Sequence, residues 1–241
     1  MQDSKEAECN PSCRTPCGPM AEFDLVIFDC DGVLIDSEVI GARVEAAELG
    51  RIGIELTPSE VMARFLGATA QAMYETLETE YGRAMPPGFE HAVQARIDAA
   101  FERDLQVIPG IREALDRLAI SRCVASSSTL ARLQHSLGLT ELLGRFAPHI
   151  FSAEQVARGK PAPDLFLYAA ARMGCAPARC LVIEDSVNGV RGGVAAGMRV
   201  WGFVGGGHCP PGHDARLRHA GAEKVFGSMP DLPAMLGGGS A

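Results

Sequence analysis

Residues 23–38 read FDLVIFDCDGVLIDSE. Within them, Leu25-Val26-Ile27-Phe28 is a short apolar, β-branched run with no polar position on either face, the pattern of a parallel strand buried on both sides. The run stops at Asp29-Cys30-Asp31-Gly32. In an open parallel sheet, ligands bind beyond the carboxyl ends of the strands, so these carboxylates stand where chemistry is expected. Residues i and i+2 of an extended segment point the same way. Two carboxylates so aimed repel each other unless a cation sits between them. A hard divalent ion such as Mg²⁺ suits carboxylate, carbonyl and phosphate oxygens together. For the Asp pair alone, an ordinary Asp-rich turn is the better explanation.

Reading onward from this stretch, residues 37–107 carry helical patterns throughout. The first helix is expected over about 37–49. Thr57-Pro58-Ser59-Glu60 reads as a capping box, with Thr at N-cap, Pro at N1 and Glu at N3. Breaks are expected at Gly67 and over 85–88. From Pro109 strands and helices alternate, with strands expected at 122–126, 149–152, 180–184 and 199–203. Alternation of this kind predicts an α/β fold, a doubly wound parallel sheet with helices on both faces. The helical block thus interrupts the α/β core after its first strand. The expected division is a leader over 1–20, a core over 21–36 and 108–236, a helical insertion over 37–107 and a flexible tail over 237–241.

Other strand ends and one loop carry useful groups. The strand at 122–126 ends in Ser126-Ser127-Ser128, and the strand at 180–184 ends in Glu184-Asp185-Ser186. Gly159-Lys160-Pro161-Ala162-Pro163-Asp164 precedes a helix. Its lysine is notable because the chain has only Lys5, Lys160 and Lys224. Four acidic residues at two strand ends, with Lys160 added, make the turn-residue explanation much weaker. Ser186 also suits a helix N-cap.

The bulk properties narrow the function classes. The chain has 241 residues, 47% hydrophobic and 22% charged, the profile of a folded protein of one or two domains. Its net charge is -8 without a Lys/Arg cluster, which argues against nucleic-acid binding. No apolar run approaches the roughly 18 residues of a membrane span, and residues 1–20 hold no apolar signal core. A cytoplasmic protein with reduced thiols is expected. Cys9, Cys13 and Cys17 lack the paired spacing of a zinc site, so the leader is expected to be disordered.

FDCDGVLIDSE, the strand-terminal Ser126, GKPAPD and VIEDSVNGV resemble, in order and spacing, the four motifs of the haloacid dehalogenase superfamily. The likeness runs from Phe23 to about Phe203. It points to the branch of sugar-phosphate phosphatases and β-phosphoglucomutases with a helical cap, including 6-phosphogluconate phosphatase-like proteins. The resemblance implies a Rossmann-like core with the helical block as an inserted cap domain. It implies a phosphatase that acts on a small phosphate ester, with Asp29 as covalent nucleophile and Asp31 as general acid, then base. It also implies Mg²⁺ held by the Asp29 carboxylate, the Asp31 backbone carbonyl and Asp185, with Glu184 close by. Ser126, and Ser127 where Asn is common, would bind the phosphoryl group, and Lys160 would offset its charge. A monomer or weak dimer is expected.

Within that family the residues favour hydrolysis. A mutase of this kind typically has a cap His about a dozen residues past the nucleophile, where this chain has Gly41. Phosphonoacetaldehyde hydrolysis needs a cap lysine, and no lysine lies between Lys5 and Lys160. Arg64, in a cap loop that would face the substrate, is a candidate for a substrate carboxylate or phosphate; otherwise it is a solvated helix residue. A non-catalytic binding protein on the same fold would be expected to lack a motif residue, and none is missing.

Overall fold

The computed structural model describes residues 22–65 and 68–237. The expected leader, Gly67 and residues 238–241 of the expected tail lie outside the described residues. Strand β1 (Leu25–Phe28) is followed by four helices: α1 (Ser37–Arg51), α2 (Pro58–Phe65), α3 (Ala70–Tyr81) and α4 (Phe89–Asp104). The chain then alternates through α5 (Ile111–Arg117), β2 (Ser121–Ser126), α6 (Leu130–Leu139), α7 (Leu143–Phe146), β3 (Ile150–Ser152), α8 (Asp164–Arg172), β4 (Cys180–Glu184), α9 (Val187–Ala195) and β5 (Arg199–Phe203). It closes with α10 (His213–Ala220), β6 (Lys224–Phe226) and α11 (Leu232–Leu236).

The six strands pair in parallel in the order β3-β2-β1-β4-β5-β6. Side chains alternate across a strand, so β1 feeds two cores. Val26 and Phe28 pack in the cluster that holds Leu115, Leu133 and Phe146 from α5, α6 and α7. Leu25 and Ile27 pack with Leu165, Phe166 and Val190 from α8 and α9. All four β1 residues are buried, each contributing roughly 1.5–3 kcal/mol as an upper estimate. The winding reverses between β1 and β4, which opens a crevice at their carboxyl ends.

The expected five strands fall within a residue of their observed limits, but the sheet has a sixth. Lys-Val-Phe of β6 is too short to show a period. It is held by pairing with β5, as Trp201 against Lys224 and Phe203 against Phe226. Long-range pairing here overrides a weak local signal.

The entry to and exit from the helical block run side by side. Asp36 N–H donates to the Gln106 carbonyl at 2.9 Å, and Ile108 N–H to the Leu34 carbonyl at 3.0 Å. The capping box forms as expected: the Glu60 amide donates to Thr57 Oγ1 at 3.2 Å, and the Thr57 amide to Glu60 Oε2 at 2.7 Å.

Inside this block α1 and α3 share a buried polar contact, in which Tyr74 Oη donates to the Glu45 carboxylate at 3.1 and 3.2 Å. Burial, with Glu90 and Glu48 nearby, lifts Glu45 from 4.5 to about 7 against the pull of Tyr74. The folded chain therefore keeps a proton that the unfolded chain releases. Stability falls as pH rises from about 4.5 through about 7. Glu45→Gln should match the parent near pH 4 and exceed it by roughly 2 kcal/mol at pH 8. Urea unfolding at the two pH values measures this; a gap that does not widen with pH contradicts it.

Candidate active site

The chain turns sharply at the end of β1. The Asp29 amide donates to the Ile183 carbonyl of β4 at 3.0 Å, and the Cys30 carbonyl receives the Leu34 amide at 2.9 Å. The turn needs Gly32 for two reasons. Its φ is +77°, and a β-carbon there would lie 2.1 Å from Asp185 Oδ2. This close approach lets the loops after β1 and β4 meet.

Carboxylate oxygens of Asp29, Glu184 and Asp185 lie within 4.8 Å of one another, and all three residues are buried. Lys160 is buried among them, its side chain 4% exposed. Its ammonium donates to Asp29 Oδ1 at 2.8 Å and to Glu184 Oε1 at 2.6 Å, and lies 5.2 Å from the centre of the Phe166 ring. The other oxygen of Glu184 accepts from the Ser186 amide at 2.9 Å and the Ser186 hydroxyl at 3.0 Å. Ser186 also caps α9, its hydroxyl accepting from the Gly189 amide at 2.9 Å. A side chain at Gly189 would run into Glu184, so glycine keeps this packing open.

Asp185 has a partner that the motif strings do not reveal. His208 Nε2 lies 2.7 Å from Asp185 Oδ2 and is buried. The His213 ring donates to the Asp185 backbone carbonyl at 2.6 Å. Burial opposes an imidazolium at His208, but the Asp185 carboxylate, with Cys209 beside it, pushes its pKa up to about 11.

The charges explain what the cluster can hold. Burial favours a neutral Lys160, but Asp29 and Glu184 outweigh it and hold its pKa above the ordinary value. Two cations then face three carboxylates. Burial, together with the charges of Glu184 and Asp185, lifts Asp29 well above the usual carboxylate range despite Lys160. Closely set carboxyl oxygens that resist ionising together fit a hard divalent ion such as Mg²⁺, which would favour the ionised form of Asp29.

The Asp31 carboxylate departs from the two same-side carboxylates that strand alternation predicts, though not from the backbone-carbonyl role that the resemblance implies. It is not part of the three-residue group. It accepts from Ser37 Oγ at 2.6 Å and Ser128 Oγ at 2.7 Å. The turn at Gly32 replaces the extended geometry in which the two carboxylates would point the same way. Of the two serines at the end of β2, Ser126 is buried and its hydroxyl accepts from the Ser128 amide at 3.1 Å, while Ser127 is exposed. Arg64 is in α2, where it pairs with Glu80 of α3 and lies over the Phe65 ring.

The sequence reading therefore missed Ser37, Ser128 and His208. Ser37 and Ser128 adjoin the quoted motifs. His208 carried a readable signal, three glycines and then His in Gly205-Gly206-Gly207-His208 after a strand. A separate cavity of about 690 Å³ opens between α3 and α4, lined by Tyr74, Glu75, Met85, Phe89 and Gln94 among others. None of the strand-end carboxylates lines it.

Comparison with known proteins agrees with this geometry. The profile of the haloacid dehalogenase-like hydrolases matches residues 23–197. The 6-phosphogluconate phosphatase of Escherichia coli K12 is 34% identical over 193 residues, covering 80% of this chain and 87% of that protein. A conserved haloacid dehalogenase-like protein of unknown function from Agrobacterium tumefaciens C58 superposes with a TM-score of 0.84 at 44% identity, over 89% of this chain and 98% of that one. A hydrolase of the same family from Deinococcus radiodurans R1, solved with bound phosphate and sodium, gives 0.77 at 36% identity, over 90% and 96%. With its family profile, its parallel sheet and its strand-end acids in agreement, this chain belongs to the haloacid dehalogenase-like hydrolases.

Proposed function

We propose that the protein is a Mg²⁺-dependent phosphatase that hydrolyses a sugar or sugar-acid phosphate through an aspartyl-phosphate on Asp29. The observation that carries this reading is the buried Lys160 ammonium bonded to Asp29 and Glu184, beside Asp185. A carboxylate can approach a dianionic ester only where cations offset the repulsion. The name of the E. coli relative supports the substrate class.

In this reading Asp29 attacks phosphorus while the bond to the leaving oxygen breaks. Asp31 gives its proton to that oxygen, then takes one from the water that cleaves the acyl phosphate. Ser37 and Ser128 hold the Asp31 carboxyl in place for both transfers. Ser126 and Ser127 donate to phosphoryl oxygens, and Lys160 neutralises charge at the nucleophile. Mg²⁺, held by Asp29, Asp185 and the Asp31 carbonyl with Glu184 adjacent, would draw charge from the phosphoryl oxygens. His208 and Ser186 fix the orientation of Asp185 and Glu184. Helices α1–α4 act as a cap that excludes bulk water, hinged at the paired segments near Ser37 and Val107. Arg64 would reach a substrate only by leaving Glu80.

The test is release of inorganic phosphate from 6-phosphogluconate and other sugar phosphates. Turnover is expected with Mg²⁺, to fall more than ~100-fold in EDTA, and to return on adding Mg²⁺. Full activity in EDTA would remove the metal from the reading. No phosphate from any ester would remove the reading itself, and isomerised sugar phosphate without free phosphate would make the protein a mutase.

A further inference from the structure

The chemistry at phosphorus leaves two charged groups beside Asp31 without a task. Arg132, on α6, holds Nη2 4.0 Å from Asp31 Oδ1. Its Nη1 donates to Gln94 Oε1 of α4 at 3.4 Å, and its guanidinium lies 4.9 Å from the centre of the Phe101 ring. Its Nε is buried with no hydrogen-bond partner. Glu38, half-buried in the first turn of α1, is the residue after Ser37, whose hydroxyl holds Asp31. It lies in the fields of Asp31, Asp185, His208 and Arg132. Its side chain takes no hydrogen bond or ion pair among the described residues.

This inference rests on the phosphatase reading, in which Asp31 protonates the leaving oxygen. A general acid must come within hydrogen-bond reach of the oxygen it protonates. Atoms attached to that oxygen are then brought among the neighbours of Asp31. An apolar alcohol there would leave an unsatisfied guanidinium N–H and a carboxylate desolvated without partners. A hydroxyl can do what neither an apolar group nor a second anion can: it donates to Glu38 and accepts from Arg132. We propose that Arg132 and Glu38 read hydroxyl groups on the leaving alcohol and so set the preference for polyhydroxylated over apolar phosphate esters.

The experiment compares kcat/KM for glucitol 6-phosphate and n-hexyl phosphate. Both leaving groups are primary alkyl alcohols that need protonation, and only one carries further hydroxyls. The parent enzyme should prefer the polyol ester. Arg132→Met and Glu38→Ala should each reduce that preference about 10- to 100-fold, as expected where a site built to bind a hydroxyl loses its partner. Arg132→Lys and Glu38→Gln should retain part of it, and urea unfolding confirms that each variant is folded. Equal losses on both esters would mean that these side chains act through Asp31 or the fold, and would overturn the proposal. A preference unchanged in the variants would overturn it too, as would a parent enzyme that hydrolyses both esters equally. A parent enzyme that releases phosphate from no ester would instead defeat the phosphatase reading.

Discussion

Lys160→Met is expected to lower kcat by about 10²–10³-fold and to destabilise the protein by roughly 3–5 kcal/mol. Both effects arise from one buried ammonium that bonds Asp29 and Glu184 at 2.8 and 2.6 Å. Removing one partner of a buried ion pair leaves the other charge desolvated and uncompensated. Here two carboxylates lose the same cation. Lys160→Arg should rescue little, because a planar guanidinium does not fill the space of a compact ammonium among Asp29, Glu184 and the Phe166 ring. The double variant Lys160→Met, Asp29→Asn separates the two effects. It removes one of the stranded charges, so part of the stability should return while activity falls further. Urea unfolding and phosphate release, measured on the same preparations, check this. A Lys160→Met protein as stable as the parent would show that the ion pairs contribute nothing net to the fold.

For Asp29→Asn the expected loss of turnover is larger, at least ~10⁴-fold, because an amide is no nucleophile toward phosphorus at neutral pH. Its effect on stability should have the opposite sign to that of Lys160→Met. Burial and the neighbouring carboxylates raise the pKa of Asp29, so its ionised form is disfavoured in the folded protein. A raised carboxyl pKa means stability falls as pH climbs from the unfolded value through the folded one. Asparagine escapes that penalty, and the unfolding midpoint without added metal should hold or rise at pH 7.5. Acid-quenched parent enzyme should carry a phosphoryl adduct by mass spectrometry, and the variant none. Retained turnover in the variant would end the covalent mechanism.

Arg64 and Arg132 illustrate how far a one-dimensional reading reaches. Arg64 was the arginine expected at the substrate, yet Glu80 from the next helix claims it. Arg132, unremarkable in the sequence, stands beside Asp31 because the face of α6 meets α4 there. Nothing local distinguishes these two arginines. The pairing of Asp31 with Ser128 spans 97 positions, and that of Lys160 with Asp29 spans 131. Lys160 was nevertheless readable, since a chain with so few lysines places one in a loop before a helix. Ser128 was not, because three successive serines look alike until the strand end orients them.

What the sequence determined by itself was the architecture and the inventory of the site: a buried strand ending in acids, a helical block behind it, four α/β repeats, and carboxylates and a lysine at their ends. These follow from side-chain periodicity, capping and turn chemistry, which act over a few neighbouring residues. The tertiary structure decided which of those groups meet. It turned the Asp31 carboxylate away from Asp29 to two serines, set His208 against Asp185, added β6 to the sheet edge and put a guanidinium beside the proposed acid. Such contacts depend on how strand ends and helix faces pack across the whole chain, and packing has no period for a local reading to detect.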